Sequence, residues 1–181
     1  MHIFQGRTAQ FKTRLEEYWQ DLYRVAYSWC HDPQMASDLA QEASLKAMRH
    51  AHTLKKDSAM KSWLFSIMHN CWCDMCRRQR DFSEVQEHHI VNEETGEDDI
   101  YRNQITQKVR TAINNLKPEH REVISLIDLA SLSYQEVADV IGIPIGTVMS
   151  RLSRARIQLR DHLHEFQPNK PTQHDYVRRV K

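Results

Sequence analysis

Glycine and proline are scarce in this 181-residue chain, at four and five respectively. Runs of β-branched residues are also few, so the turn density and strand composition of a β-rich domain are missing. No apolar run approaches 18 residues, which leaves no segment expected to span a membrane as a helix. The opening MHIFQGRTAQFK has no apolar h-region and does not read as a signal peptide. The protein is therefore expected in the cytosol, with its four cysteines reduced. There is no G-x-x-x-x-G-K-[ST] loop and no kinase-type carboxylate set, so nucleotide hydrolysis is not expected. What is present is 40% hydrophobic residues, enough to build the core of one domain or two small ones from helices.

A net charge of +1 hides an asymmetry. Between Asp81 and Arg102 lie eight acids (Asp81, Glu84, Glu87, Glu93, Glu94, Glu97, Asp98 and Asp99) and one base, so the rest of the chain carries the compensating positive charge. An acidic, helix-poor stretch between two basic halves reads as a linker between two nucleic-acid-facing domains, and equally as a solvated loop.

The most specific local pattern is LSYQEVADVIGIPIGTVMSRLSRARIQLR, from Leu132 to Arg160. Ser133 and Glu136 form a capping-box start. Val137, Ala138 and Ile141 make an apolar stripe, and Gly142 supplies the positive φ that ends the helix and turns the chain. Pro144 marks the start of a second helix. Small Ala138 admits a close helix crossing, and Val148 plugs back onto it. The pattern predicts a helix-turn-helix. At 100° per residue, Leu152, Ala155 and Leu159 share the buried side with Val148, whereas Met149, Ser150, Ser153 and Arg154 face away. Arginine can grip guanine bidentately, serine can bond several base edges, and methionine can touch a thymine methyl. Arg151, Arg156 and Arg160 suit phosphates, and Thr147 suits a phosphate beside the helix N-terminus.

Upstream, Leu15, Trp19, Leu22, Ala26 and Trp29 predict an amphipathic helix over about 8–30. Asp32 and Pro33 cap the next, which runs to about 50. It has an alanine face (Ala36, Ala40, Ala43, Ala47) and a second face of Asp38, Gln41, Glu42, Leu45 and Arg49 that reads as a partner surface or a solvated one. Residues 51–61 are a basic loop. A long helix from Ser62 has a core stripe of Leu64, Ile67, Met68, Cys71 and Met75 and ends in a basic cluster. Helices are expected over about 102–115 and 118–130, and a loose tail beyond about 165.

The MASDLAQEASLKAMRH and KSWLFSIMHNCWCDMCRRQR segments, followed by LKPEHREVISLIDLASLSYQEVADVIGIPIGTVMSRLSRARIQLR, resemble the bacterial RNA polymerase sigma factors of the extracytoplasmic-function (ECF) class. The resemblance covers residues 10–163 and implies an all-α protein of two small helical domains joined by an acidic linker, the second containing the helix-turn-helix. The implied division is a region 2 domain over 8–80, a linker over 81–102, a region 4 domain over 103–165 and a tail over 166–181. It further implies that Asp38, Gln41, Glu42, Leu45 and Arg49 dock on the β′ clamp helices of core RNA polymerase, with the β flap as a further contact. Lys55, Lys56, Lys61, Trp63, His69, Asn70, Arg77 and Arg78 would recognise and melt the −10 element, capturing an unstacked base of the non-template strand. Trp63 also fits a core position. Thr147, Met149, Ser150, Arg151, Ser153 and Arg154 would read the −35 element. A base often stands at the position of Met149 in related factors. An anti-sigma factor is the implied regulator, and no cofactor or catalytic residue is implied.

Two other readings compete. His69, Cys73 and Cys76 lie within about 60° on one helix and could form a metal or redox sensor, or simply fill small apolar sites. A DNA-binding regulator indifferent to polymerase would need only the C-terminal half.

Overall fold

A computed structural model describes residues 2–82 and 108–164. Most of the linker and the tail lie outside the described residues, as do the first turns of the helix expected from about 102. The architecture among the described residues is all-helical. Helix α1 spans His2–Glu17, α2 Trp19–Cys30, α3 Pro33–Arg49 and α4 Met60–Phe82. Residues 108–114 form α5. Helix α6 (Pro118–Ile124) continues into a π-helical turn, Ser125–Leu129, and is followed by α7 (Tyr134–Ile141) and α8 (Ile145–His164).

The first half is built on small residues. Asp32 caps α3 by accepting a 2.6 Å hydrogen bond from the Met35 amide, with Pro33 as the first helical residue. Ala36, Ala40, Ala43 and Ala47 are all buried. With no bulk beyond Cβ on that side, α3 packs closely against both α2 and α4. Leu22, Val25, Leu39, Leu64, Phe65 and Met68 fill the space between these helices.

Three boundaries differ from expectation. The helix expected over 8–30 is two helices. Tyr18 sits between them at φ −89°, ψ −5°, and its amide bonds to Leu15 O at 3.1 Å in a tightened turn. The apolar spacing runs unbroken through this kink, so periodicity conceals it. Helix α4 begins at Met60, inside the expected loop, because Met60 is wholly buried; the rest of that loop contains two 3₁₀ turns. The helix expected over 118–130 widens at its end, where the Ala130 amide reaches Ser125 O at 3.1 Å. Ser125 Oγ there donates to Arg121 O at 2.7 Å.

The helix-turn-helix forms as its residues dictate. Ser133 Oγ accepts from the Glu136 amide at 3.3 Å, while the Glu136 carboxylate accepts from the Ser133 amide at 2.8 Å. Gly142 closes α7 in the left-handed region at φ 76°, its amide bonding to Ala138 O. Ala138, Val148, Leu152 and Ala155 are buried together. The His120 ring and the Gln158 amide, 2.9 Å apart, tie α6 to α8.

The two halves share one apolar core. Helix α7 lies along α4, and α6 with its π turn lies against α2. Across this seam Ser28 Oγ and Ser125 Oγ are buried 2.7 Å apart, and Arg121 Nη1 donates to Trp29 O at 3.2 Å.

No side-chain atom lies within 4 Å of where a Cβ would project from Gly142. Gly142→Ala is therefore expected to cost only the left-handed backbone strain, about 1–2 kcal/mol. Urea unfolding should show a lower midpoint with an unchanged slope.

Candidate nucleic-acid and polymerase interface

Helix α8 offers one wet face and one dry one. Met149 (53% exposed), Ser150, Ser153 and Arg154 are exposed, and Arg151 is half-buried beside them. Thr147 is half-buried in the first turn. The opposite side of the helix is packed on α6 and α7, so the outward set is held rigidly. Arg156, expected at phosphate, is tied to Asp128 at 2.8 Å and fastens α8 to the π turn. Tyr134 and Ile157, which sequence inspection passed over, join Met149, Leu152, Ser153 and the stems of Arg156 and Arg160 in a groove of 440 Å³. Ile157 lies about 180° from Val148, so its apolar character on the outward face was available as a signal.

On α4, Trp63, Asn70, Arg77 and Arg78 fall within an arc of about 100°. Asn70, Arg77 and Arg78 are exposed. Trp63 is half-buried, edge-on to Phe11 at 6.2 Å between centroids, so its packed role is realised along one edge. Arg77 pairs with Asp74 at 3.2 Å. Lys55 and Lys56 are exposed in the preceding segment, while Lys61 pairs with Asp21 at 3.0 Å and lies 6.0 Å from the Tyr18 ring.

His69 does not join this stripe. It points about 120° away, is 8% exposed, packs edge-on against Trp29, and lies 3.9 Å from the Glu122 carboxylate. As folded here it lies in the seam between the halves, apart from the exposed residues expected at the −10 strand.

The outer face of α3 presents Asp38, Gln41, Leu45 (51% exposed) and Arg49. Glu42 is half-buried and bridges to Lys46 at 2.9 Å. Met48, also exposed, extends the apolar part of this face. A leucine and a methionine exposed among charges fit a protein-docking surface.

Cys73 Sγ lies 3.8 Å from His69 Nε2, yet among the described residues no three His, Cys, Asp or Glu side chains converge to hold a metal. Burial raises the pKa of the Cys30, Cys71 and Cys73 thiols, which keeps them protonated and weakly reactive at neutral pH.

Residues 15–82 match Sigma-70 region 2, and residues 106–159 match Sigma-70 region 4. RNA polymerase sigma factor YlaC of Bacillus subtilis is 26% identical over 152 residues, covering 81% of this chain and 88% of that protein. The RNA polymerase sigma-H factor of Pseudomonas aeruginosa is 30% identical over 167 residues, 85% of this chain and 86% of its own. The chain belongs to the sigma-70 family, in its ECF class. ECF sigma factors bind core RNA polymerase and promoter DNA and direct promoter-specific initiation, and this chain does so as one of them. Among solved structures, sigma factor RpoE of Bartonella quintana, in complex with the anti-sigma factor NepR, is 31% identical. It superposes with a TM-score of 0.69 over 86% of this chain and 97% of its own.

The seam of this sigma factor carries an acid-sensitive group. His31 caps α2 in the left-handed region, φ 56°. Burial, and then the Arg121 charge, lower its pKa from 6.5 to about 4. The folded state therefore binds fewer protons here than the unfolded one, so this contribution to stability is complete above pH 6.5 and declines as pH falls toward 4. Thermal melts between these limits should show His31→Asn losing less stability on acidification than the unsubstituted protein; asparagine tolerates the same φ.

Proposed function

We propose that the polymerase- and promoter-binding work of this sigma factor divides between 8–80 and 103–165, with 81–102 as tether and 166–181 as tail. Asp38, Gln41, Glu42, Leu45 and Arg49, joined by Met48, dock on the β′ clamp helices, and the second half meets the β flap. Lys55, Lys56, Lys61, Trp63, Asn70, Arg77 and Arg78 hold the non-template strand of the −10 element. Cations neutralise its phosphates, and the indole and amide meet an unstacked base. Thr147 and Arg151 anchor phosphates of the −35 duplex while Met149, Ser150, Ser153 and Arg154 meet its base edges.

The observation that carries this reading is the two-sidedness of α8. Its inner face is packed, and its outer face is a compact set of hydrogen-bonding and apolar groups with Arg154 exposed among them. Such a face favours bases over phosphates. Met149, where related factors often carry a base, biases contact toward a thymine methyl.

The chain makes and breaks no covalent bond. Capture of the melted strand supplies the free energy of opening. The factor works in the cytoplasm, and an anti-sigma factor holds it in check, as the NepR complex of its Bartonella relative suggests.

Run-off transcription with core polymerase tests the reading. The purified chain should redirect initiation to a subset of promoters. Arg154→Ala should weaken −35 use by about 1–3 kcal/mol and leave −10 melting intact. Arg77→Ala with Arg78→Ala should spare duplex binding while lowering the open-complex signal in permanganate footprints. Binding of DNA without any redirected initiation would refute it.

A further inference from the structure

The segment expected to hold the −10 strand is itself held by the first two helices. Arg14, near the end of α1, reaches Asp57 with both arms of its guanidinium. Nη1 lies 2.9 Å from the Asp57 carboxylate, and Nη2 donates to the Asp57 carbonyl at 2.8 Å. That carbonyl also accepts from the Met60 amide, the bond that leads the chain into α4. A carbonyl oxygen has two lone pairs, so both bonds stand together. Phe11, one turn before Arg14, packs edge-on against Trp63. Tyr18 and Asp21, one and two turns after it, engage Lys61. Spaced three, four and three apart, these residues form a stripe along α1 and α2 that follows the chain from Asp57 to Trp63.

Folding stability does not explain the Arg14 contact. The Asp57 side chain is 82% exposed, and ion pairs so open to water contribute little to stability. The segment is anchored at both ends without it, by wholly buried Met60 and by Leu54, which packs against the core. Between those anchors residues 55–58 are exposed, and among the described residues their only hydrogen bonds from another helix come from Arg14. The charges around it give the contact a use. Asp57 is a carboxylate one residue from Lys56 and two from Lys55. Unpaired, it would compete with DNA phosphates for both ammonium groups and repel the phosphates themselves. Arg14 takes up that charge, and among the described residues Lys55 and Lys56 have no acidic partner.

Resting on the −10 reading above, we propose that Arg14 is a positioning residue for strand capture. It touches no base. It fixes the turn that precedes α4 and neutralises Asp57, which leaves Lys55 and Lys56 for the phosphates of the non-template strand. The strand then meets a preformed surface rather than one it must order.

Core polymerase loaded with the full chain tests this, using a fluorescein-labelled single strand that carries the −10 element of a promoter the factor transcribes. Arg14→Ala should weaken strand binding about tenfold, and the slope of log affinity against log salt should flatten by about 0.7 for each lysine that Asp57 draws off. Affinity for core polymerase and for −35 duplex should stay within about twofold. Removing the competing carboxylate as well, in Arg14→Ala with Asp57→Ala, should recover about threefold or more of the loss, a rescue that general misfolding would not give. An Arg14→Ala factor that binds the strand within about twofold of the unsubstituted one overturns the proposal. So does a loss shared equally by core and −35 binding, or a double variant no better than the single. Lys55→Ala with Lys56→Ala tests the underlying reading separately, since it should weaken the same strand whatever Arg14 does. If those two changes have no effect, the assignment of this segment to the −10 strand fails and the role of Arg14 falls with it. If they weaken binding and Arg14→Ala does not, only the role of Arg14 fails.

Discussion

Everything in this protein depends on one continuous apolar core. It runs from the alanine face of α3 through Leu39, Phe65 and Met68 to Val123, Val137 and Val148. Because α3 is stripped of bulk on its inner side, α2 and α4 close on it, and its charged and apolar outer residues are left as a surface. Because Gly142 turns the chain sharply, Val148 can reach the hollow left by Ala138, and the outer face of α8 is presented without slack. Each binding surface is the complement of a packing decision on the other side of the same helix.

The same core crosses from one half to the other, and there its character changes. Inside each half, apolar side chains interlock and polar groups are capped or hydrogen-bonded. At the seam, an arginine, two serines, a histidine–carboxylate pair and several unpaired polar atoms are interleaved with the apolar contacts. Each unpaired group costs about 1–3 kcal/mol when buried. A few such groups offset much of what the apolar contact contributes.

Local chemistry was legible wherever it is decided within a few residues. The Ser133–Glu136 capping box, the Asp32–Pro33 helix start, the Gly142 turn and the buried side of α8 all follow from short-range sterics and hydrogen bonding. The π turn after Ile124 and the break at Tyr18 were not legible, because the apolar spacing on either side continues through both. Among site residues, the α3 face and the outward face of α8 came from angular position alone, and the structure leaves most of their members exposed. His69 did not behave so. Its sequence neighbours placed it with Asn70, but it lies about 100° round α4 from that residue, where Trp29 and Glu122 flank it.

By itself, the sequence determined the helices, their inner and outer faces and the family. Helical period, capping chemistry and the absence of strand and membrane patterns are all local quantities. Only the tertiary structure decided which inner faces meet. That α7 would lie on α4, that Ser28 would find Ser125 ninety-seven positions away, and that Arg121 would bury itself against Trp29 depend on how two separately amphipathic halves fit. Burial is non-directional and rewards any large apolar contact, so the pairing is settled by shape and by the few polar groups that can be satisfied across it, and these exist only once the chain is folded.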